Sequence, residues 1–200
     1  MIPVVAQSEP AEFDVKVRQP GLRWLAERGW SADQAPPVAG DLPAYWRELL
    51  FELWQRYSRT CAYLSIRFEW KSGAQSTDHF IAKAAHAGQA YEWSNYRLSC
   101  LGANRRKNRF DDVLDPFLIA HHTFVLSASS GGIAPNAKLV NDVKALAVRT
   151  IDRLGLDDAQ ARRMRAEHVQ AYLDGEVTAA YLRKQSPFVW TELDRQGLLR

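Results

Sequence analysis

The sequence predicts an α+β protein in which a small strand–strand–helix core is embedded in a mostly helical body. Three observations predict it. Two short stretches, 76–81 and 96–99, have strand-like composition. A helix-like stretch, 101–109, follows the second directly. From residue 136 onward the pattern becomes helical, with apolar residues at a 3.6-residue period from Leu139 to Leu154.

The elements follow in order. Residues 13–21 (FDVKVRQPG) read as an extended lead and 22–27 as a short helix. Residues 31–41, rich in Pro, Ala and Gly, read as a loop. Pro43 can open a helix, because its missing N–H has no partner in a first turn anyway. Trp46, Leu49, Leu50, Leu53, Trp54 and Tyr57 then recur at helical spacing, with Arg47, Glu48, Glu52 and Arg56 on the other face. Residues 61–70, aromatic and β-branched, predict a strand; 71–75, with Gly73, predict a turn; and 76–81 return as the next strand. Residues 82–94 read as a loop with one helical turn, 96–99 as a short strand, and 101–109 as a helix with a basic exposed face. Residues 124–128 and 133–134, around Ser130-Gly131-Gly132, predict a hairpin. Leu139, Val143, Leu146, Ala147, Ile151 and Leu154 mark the first C-terminal helix; 157–173 and 177–184 give two more, and Pro187 begins a last one. The resulting division is 1–42, an arm and short helix; 43–118, a core with its preceding amphipathic helix; and 119–200, a hairpin with the C-terminal helices.

Composition bounds the function. A hydrophobic fraction of 46% suits a folded domain. Two cysteines, Cys61 and Cys100, exclude a disulfide framework. No apolar run is long enough to span a membrane, and residues 1–14 lack the basic and apolar regions of a signal peptide, so a cytoplasmic protein is expected. The net charge of +3 is small, but Arg97, Arg105, Arg106, Lys107 and Arg109 fall in a stretch free of acids. A local basic patch of this kind suits phosphate contact.

Three pieces carry candidate chemistry: Asp78-His79, Asn95, and Asn104 with Lys107 and Asn108. Phosphodiester hydrolysis needs a hard cation on oxygen ligands, a base near neutrality for the attacking water, and cations that hold the phosphate backbone. Asp78 offers a carboxylate, Asn104 an amide oxygen, and Asn108 lies four residues on along the same predicted helix. His79 offers an imidazole. The other histidines carry less: His86 sits in a small-residue loop, the side chains of His121-His122 diverge, and His168 falls in a charged helix. Trp93 reads as a packing anchor beside Asn95.

The strings STDHFIAKA, EWSNYRLSC and LGANRRKNRF resemble the signature of HNH (ββα-metal) endonucleases over about fifty residues, 61–110. The resemblance implies a metal-dependent DNA endonuclease. By position, Asp78 and Asn104, with Asn108, would be metal ligands for Mg²⁺ or Mn²⁺. His79 would be the general base and Asn95 the residue that braces its loop. Arg97, Arg105, Arg106, Lys107 and Arg109 would contact nucleic acid. Many members bind a structural zinc through two Cys-x-x-Cys pairs. Here one cysteine of each pair remains, Cys61 and Cys100, while Leu64 and Ala103 take the other places, so no structural zinc is expected and apolar packing should replace it. The family's frequent Pro after the histidine is Ala82. The phrases FDVKVRQPG, CAYL, YEWSNYRL and DVLDPF resemble small HNH subunits that partner ABC/SMC-like ATPases in anti-phage defence, of the Septu and retron-associated kinds. That resemblance implies DNA and such an ATPase as partners. Two other readings remain open: a catalytically silent HNH-fold adaptor in an ATPase complex, and an RNA or tRNA nuclease.

Overall fold

A computed structural model describes residues 1–72 and 74–200; Gly73, part of the turn expected at 71–75, lies outside the described residues. The protein is α+β, with helices and two small antiparallel two-stranded sheets. No helix among the described residues is long and apolar enough to cross a membrane. The chain divides into two compact units, and the three-part division expected from the sequence cuts across them. Residues 6–59 and 70–111 form one unit; residues 1–5, 60–69 and 112–200 form the other.

The first unit opens differently from expectation. Residues 13–21 are not extended: a π-helical turn, Asp14–Arg18, runs directly into helix α1, Gln19–Glu27. Phe13, Val17, Gly21 and Leu25 recur every four residues, and all are buried. That spacing is the helical signal, and Pro20 disguised it. A helical proline lacks its N–H and crowds the carbonyl four residues back. The preceding turn widens to accommodate it, with the Gln19 N–H reaching Asp14 O. Arg18 locks the turn through carboxylates of Glu9, Asp14 and Glu92, which together hold its guanidinium well above its ordinary pKa.

The amphipathic stretch after Pro43 forms a 3₁₀ turn, Tyr45–Leu49, followed by helix α2, Leu50–Arg56. Trp46, Leu49, Leu53, Trp54 and Tyr57 are buried, as the spacing predicts. Strands β1, Gln75–His79, and β2, Tyr96–Cys100, pair antiparallel with Asp78 opposite Arg97 and His79 opposite Tyr96. Two 3₁₀ turns, Ala87–Tyr91 and Trp93–Asn95, fill the loop between them. Helix α3, Leu101–Lys107, follows β2 without a break and packs on both strands.

In the second unit, residues 61–70 do not form the expected strand. A single bridge joins Thr60 to Arg67. Cys61 accepts from Ser65 N–H and donates to Ile66 O, closing a tight loop in which Ser65 has a φ of 51°. Cys61, Ala62 and Tyr63 are buried in succession, so the apolar run makes a plug and not an alternating face. Strands β3, Phe124–Leu126, and β4, Ile133–Pro135, form the expected hairpin. Its Gly131 has a positive φ, and a Cβ there would lie 2.0 Å from Arg162 O, so no other residue fits. Helices α4, Asn141–Leu154, α5, Ala159–Leu173, α6, Ala179–Gln185, and α7, Pro187–Arg195, complete the unit. Asp158 and Thr178 cap α5 and α6 through their side chains. Glu192, buried, accepts from Leu126 N–H and Arg195. His168 is half-buried against Ser186 Oγ at 3.0 Å, not solvated as its charged surroundings suggested.

The packing of α1 supplies a test. A Cβ at Gly21 would lie 2.3 Å from the buried Tyr91 ring. Alanine gains about 1 kcal/mol of helix propensity, but overpacking costs about 1–3 kcal/mol or more. Gly21→Ala should therefore lower the urea midpoint; an unchanged or higher midpoint would contradict this packing.

Candidate functional site

Strand β1 has a single neighbour, so one edge lacks a ladder. Phe80 N–H donates to Asn95 O, which sets the alternation and turns the carbonyls of Thr77 and His79 away from β2. Side chains of α3 occupy the place of a third strand. Asn104 Nδ2 donates to Thr77 O at 3.1 Å and Ser76 Oγ at 2.6 Å. Lys107 Nζ donates to His79 O at 3.1 Å and Phe80 O at 2.8 Å. The three-residue spacing of Asn104 and Lys107 puts both on the helix face toward β1.

Asn95 braces the loop that follows β1. It is 4% exposed. Its Nδ2 donates to Ile81 O and Gln89 O, and its Oδ1 accepts from Ile81 N–H. The amide thereby spans the two ends of the loop, as a loop-bracing residue must.

The imidazole of His79 stands edge-on to Trp46 and Tyr96, with ring centroids 4.7 and 5.1 Å away. Nε2 lies 3.2 Å from Ala90 O. A carbonyl oxygen only accepts, so Nε2 carries the proton and Nδ1 is the acceptor nitrogen. Tyr96 Oη donates to the same carbonyl at 2.6 Å. Burial, reinforced by the nearby Lys83 charge, lowers the imidazole pKa to about 3, against the pull of the Ala90 bond. The ring is neutral at pH 7.

Asp78, His79 and Asn104 line one cleft of about 750 Å³, together with Trp46, Arg47, Lys83, Arg105, Asn108 and Arg109. Side chains of β1 alternate across the strand. His79 therefore leaves on the face carrying Trp46, and Asp78 on the face carrying α3. Asp78 is 2% exposed, and its Oδ1 lies 3.6 Å from Lys107 Nζ. Because Asn104 Nδ2 meets a carbonyl, Oδ1 is the end of that amide left for a ligand. Gln75 and Thr77 also line the cleft, and Gln75 Oε1 and Thr77 Oγ1 are buried without a hydrogen-bond partner. These are hard oxygen donors, suited to a cation such as Mg²⁺. No group of three or more His, Cys, Asp and Glu that could hold a metal occurs among the described residues, so a cation beside Asp78 would rely on the Asn104 amide oxygen and on oxygens from outside the chain.

Several expectations need correction. Lys107 is fully buried and serves the carbonyls of β1, so it does not face nucleic acid. Burial lowers its ammonium pKa, and Asp78 opposes that shift. Arg97 is 4% exposed, donates to Ser94 O and Tyr96 O, and lies over the Phe80 ring, so it too is turned inward. Both were read as surface cations because a long charged side chain is usually solvated. Asn108 is not on the face of α3. The helix ends at Lys107, and Asn108 leaves it with a φ of 46°, its N–H donating to Asn104 O. It still borders the cleft. Arg105, Arg106 and Arg109 are exposed as expected, and Arg105 and Arg109 reach the cleft. Cys61 is buried and Cys100 half-buried, and they lie in different units without a disulfide between them. Ala103 is buried; Leu64 is half-buried with its N–H toward Cys61 Sγ.

No protein-family model matches the sequence, and no curated protein matches it significantly. The sequence reading missed Trp46, Arg47 and Lys83 as site residues. Trp46 and Arg47 looked like the two faces of an ordinary amphipathic helix. Lys83 had a usable signal: a lone cation four residues after His79, in a loop of small residues with no acid nearby.

The His79 environment predicts a pH dependence of stability. The unfolded side chain takes a proton near pH 6.5, the folded one only near pH 3. Between those values the unfolded state holds the extra proton, so acidification favours unfolding. The contribution of the neutral ring is complete above pH 6.5 and is lost as pH falls toward 3. Urea unfolding should show a lower midpoint at about pH 5.5 than at about pH 7.5, and His79→Gln should shrink the difference. An equal acid loss in parent and variant would exclude His79 as its source.

Proposed function

We propose that the chain is a metal-dependent DNA endonuclease of the HNH kind, with His79 as its general base. The observation that carries this reading is the meeting of Asp78, His79 and Asn104 at one cleft rimmed by cations, with Asn95 bracing the loop beside it.

The neutral imidazole has the protonation state that a proton acceptor needs. Its Nε2 is committed to Ala90 O, so Nδ1 receives the proton of the attacking water. An anionic phosphate placed beside the ring raises its basicity toward the working range. Asp78 and Asn104 Oδ1 would hold Mg²⁺ or Mn²⁺, which supplies charge stabilisation to the phosphate and the departing oxygen when bound. Arg105 and Arg109 hold the phosphate backbone without reading sequence. The ABC/SMC-like ATPase partner and the anti-phage role belong to this proposal through the sequence phrases alone.

A second reading is a catalytically silent HNH-fold adaptor that binds DNA. The pairing of Asp78 with Lys107 favours it, because that pairing already compensates the carboxylate.

Plasmid cleavage separates the two. The parent should nick DNA with Mg²⁺ or Mn²⁺ and stop in EDTA. His79→Ala should lose about 10²–10⁴-fold in rate while keeping its circular dichroism spectrum. Asp78→Asn and Asn104→Ala should each need more metal for half-maximal rate. A folded His79→Ala protein that cuts as fast as the parent rejects the base assignment. A parent inert under all metal conditions, yet still binding DNA, supports the adaptor.

A further inference from the structure

We propose that Lys83 and Arg47 form a second phosphate-binding bank of the cleft, gripping the DNA backbone beside His79 from elements other than α3. Lys83 lies in the loop after β1, and Arg47 in the 3₁₀ turn before α2. Both line the cleft that holds Asp78, His79 and Asn104.

The position of Lys83 is built, not incidental. Its Nζ stands 4.5 Å from the centre of the Trp46 ring, and His79 stands 4.7 Å from the same ring. Trp46 is buried, so one fixed indole sets both the imidazole and the ammonium. A cation held over an aromatic face keeps its charge directed along one line. A freely solvated lysine on a loop would have no such placement.

Charge accounting points to an anion. Among the described residues, no carboxylate stands within ion-pair distance of Lys83, Arg47, Arg105 or Arg109. Among the described residues that line the cleft, Asp78 is the one carboxylate, and it faces the buried Lys107. Lys83 is half-buried, and both desolvation and Arg47 disfavour its charge. Two cations crowded at a partly dry wall destabilise one another until an anion arrives. Four unpaired cations from three separate elements match a polyanion that spans the cleft better than a single small ion.

The α3 cations and the Lys83–Arg47 pair flank β1, because His79 and Asp78 leave that strand on opposite faces. A phosphodiester held by both banks lies across the strand edge, next to Nδ1 of His79. The catalytic consequence of this grip rests on the nuclease reading; the binding itself does not.

The test measures binding without cleavage. Fluorescence anisotropy of a short labelled DNA duplex is followed in EDTA across a range of KCl, for the parent, Lys83→Met, Arg47→Met, the double variant, and Lys83→Arg. Lys144→Met, an exposed lysine on α4, serves as the control for one lost charge. Methionine keeps the stem that packs on Trp46, and thermal melts check folding. The two single variants should weaken binding several-fold, with a salt slope smaller by about 1 each. Lys83→Arg should bind like the parent, and Lys144→Met should change little. Binding by the single and double variants that matches Lys144→Met overturns the proposal, as does a parent that fails to bind DNA. If binding follows the expected pattern and no variant or parent ever cleaves, the phosphate bank stands and the nuclease reading fails. If cleavage occurs, Lys83→Met should lower kcat/KM and Lys83→Arg should restore it.

Discussion

A buried ammonium and an amide hold the open edge of β1, and the remainder of the cleft is arranged around that contact. In a two-stranded sheet each strand keeps one edge of N–H and C=O groups without ladder partners. Here Asn104 and Lys107 cap such carbonyls from α3. Lys107 loses its hydration entirely, and its two carbonyl acceptors together with the Asp78 charge offset that loss. Removing Lys107 would take one countercharge from the buried Asp78 and the donor from two carbonyls, and breaking such a buried pair typically costs about 3–5 kcal/mol. The same contact fixes α3 against the strand, so the direction of Asn104 Oδ1 and the position of Arg105 follow from it.

A second set of bonds fixes the other wall. Ala90 O accepts from both His79 and Tyr96, and Asn95 ties Ile81 to Gln89. Both sets draw on a loop of small residues that has little regular structure of its own. Its order comes from three side chains, two of which also sit in or against β2. The imidazole is thus oriented by groups that do not touch a substrate, which leaves Nδ1 as its unspent nitrogen.

Much of this was legible in the sequence, and for identifiable reasons. The first helix beyond 136 was legible from the recurrence of Leu139, Val143, Leu146, Ala147, Ile151 and Leu154, and the last from Pro187 at its start. Strands β1 and β2 and helix α3 were legible from composition and adjacency. Residues 61–70 misled because a buried plug and a strand share the same aromatic, β-branched composition. Residues 13–21 misled because Pro20 outweighed a four-residue repeat of buried positions. Asp78, His79, Asn95 and Asn104 were singled out from residue type and order, and the structure brings Asp78, His79 and Asn104 to one cleft. Arg97 and Lys107 were assigned to the surface because sequence reports a charge and not its burial. Trp46 and Lys83 were missed because the cation–ring contact joins residues distant in the chain.

The lone carboxylate raises the sharpest question of balance. Lys107 sits 3.6 Å from Asp78 but bonds more closely to two carbonyls, so it supplies countercharge while spending its protons elsewhere. Four further cations rim the cleft, with no carboxylate in ion-pair distance among the described residues. A divalent ion entering alone would meet Asp78 already compensated and a positive wall around it. A nucleic-acid backbone entering first reverses that field, since each phosphate brings a negative charge and oxygen ligands of its own. On the proposed reading, metal and DNA therefore support each other's binding, and Asp78 with Asn104 anchors a cation whose remaining ligands come from the substrate. On that proposal, the cleft would complete a metal site around DNA and would not store a metal without it.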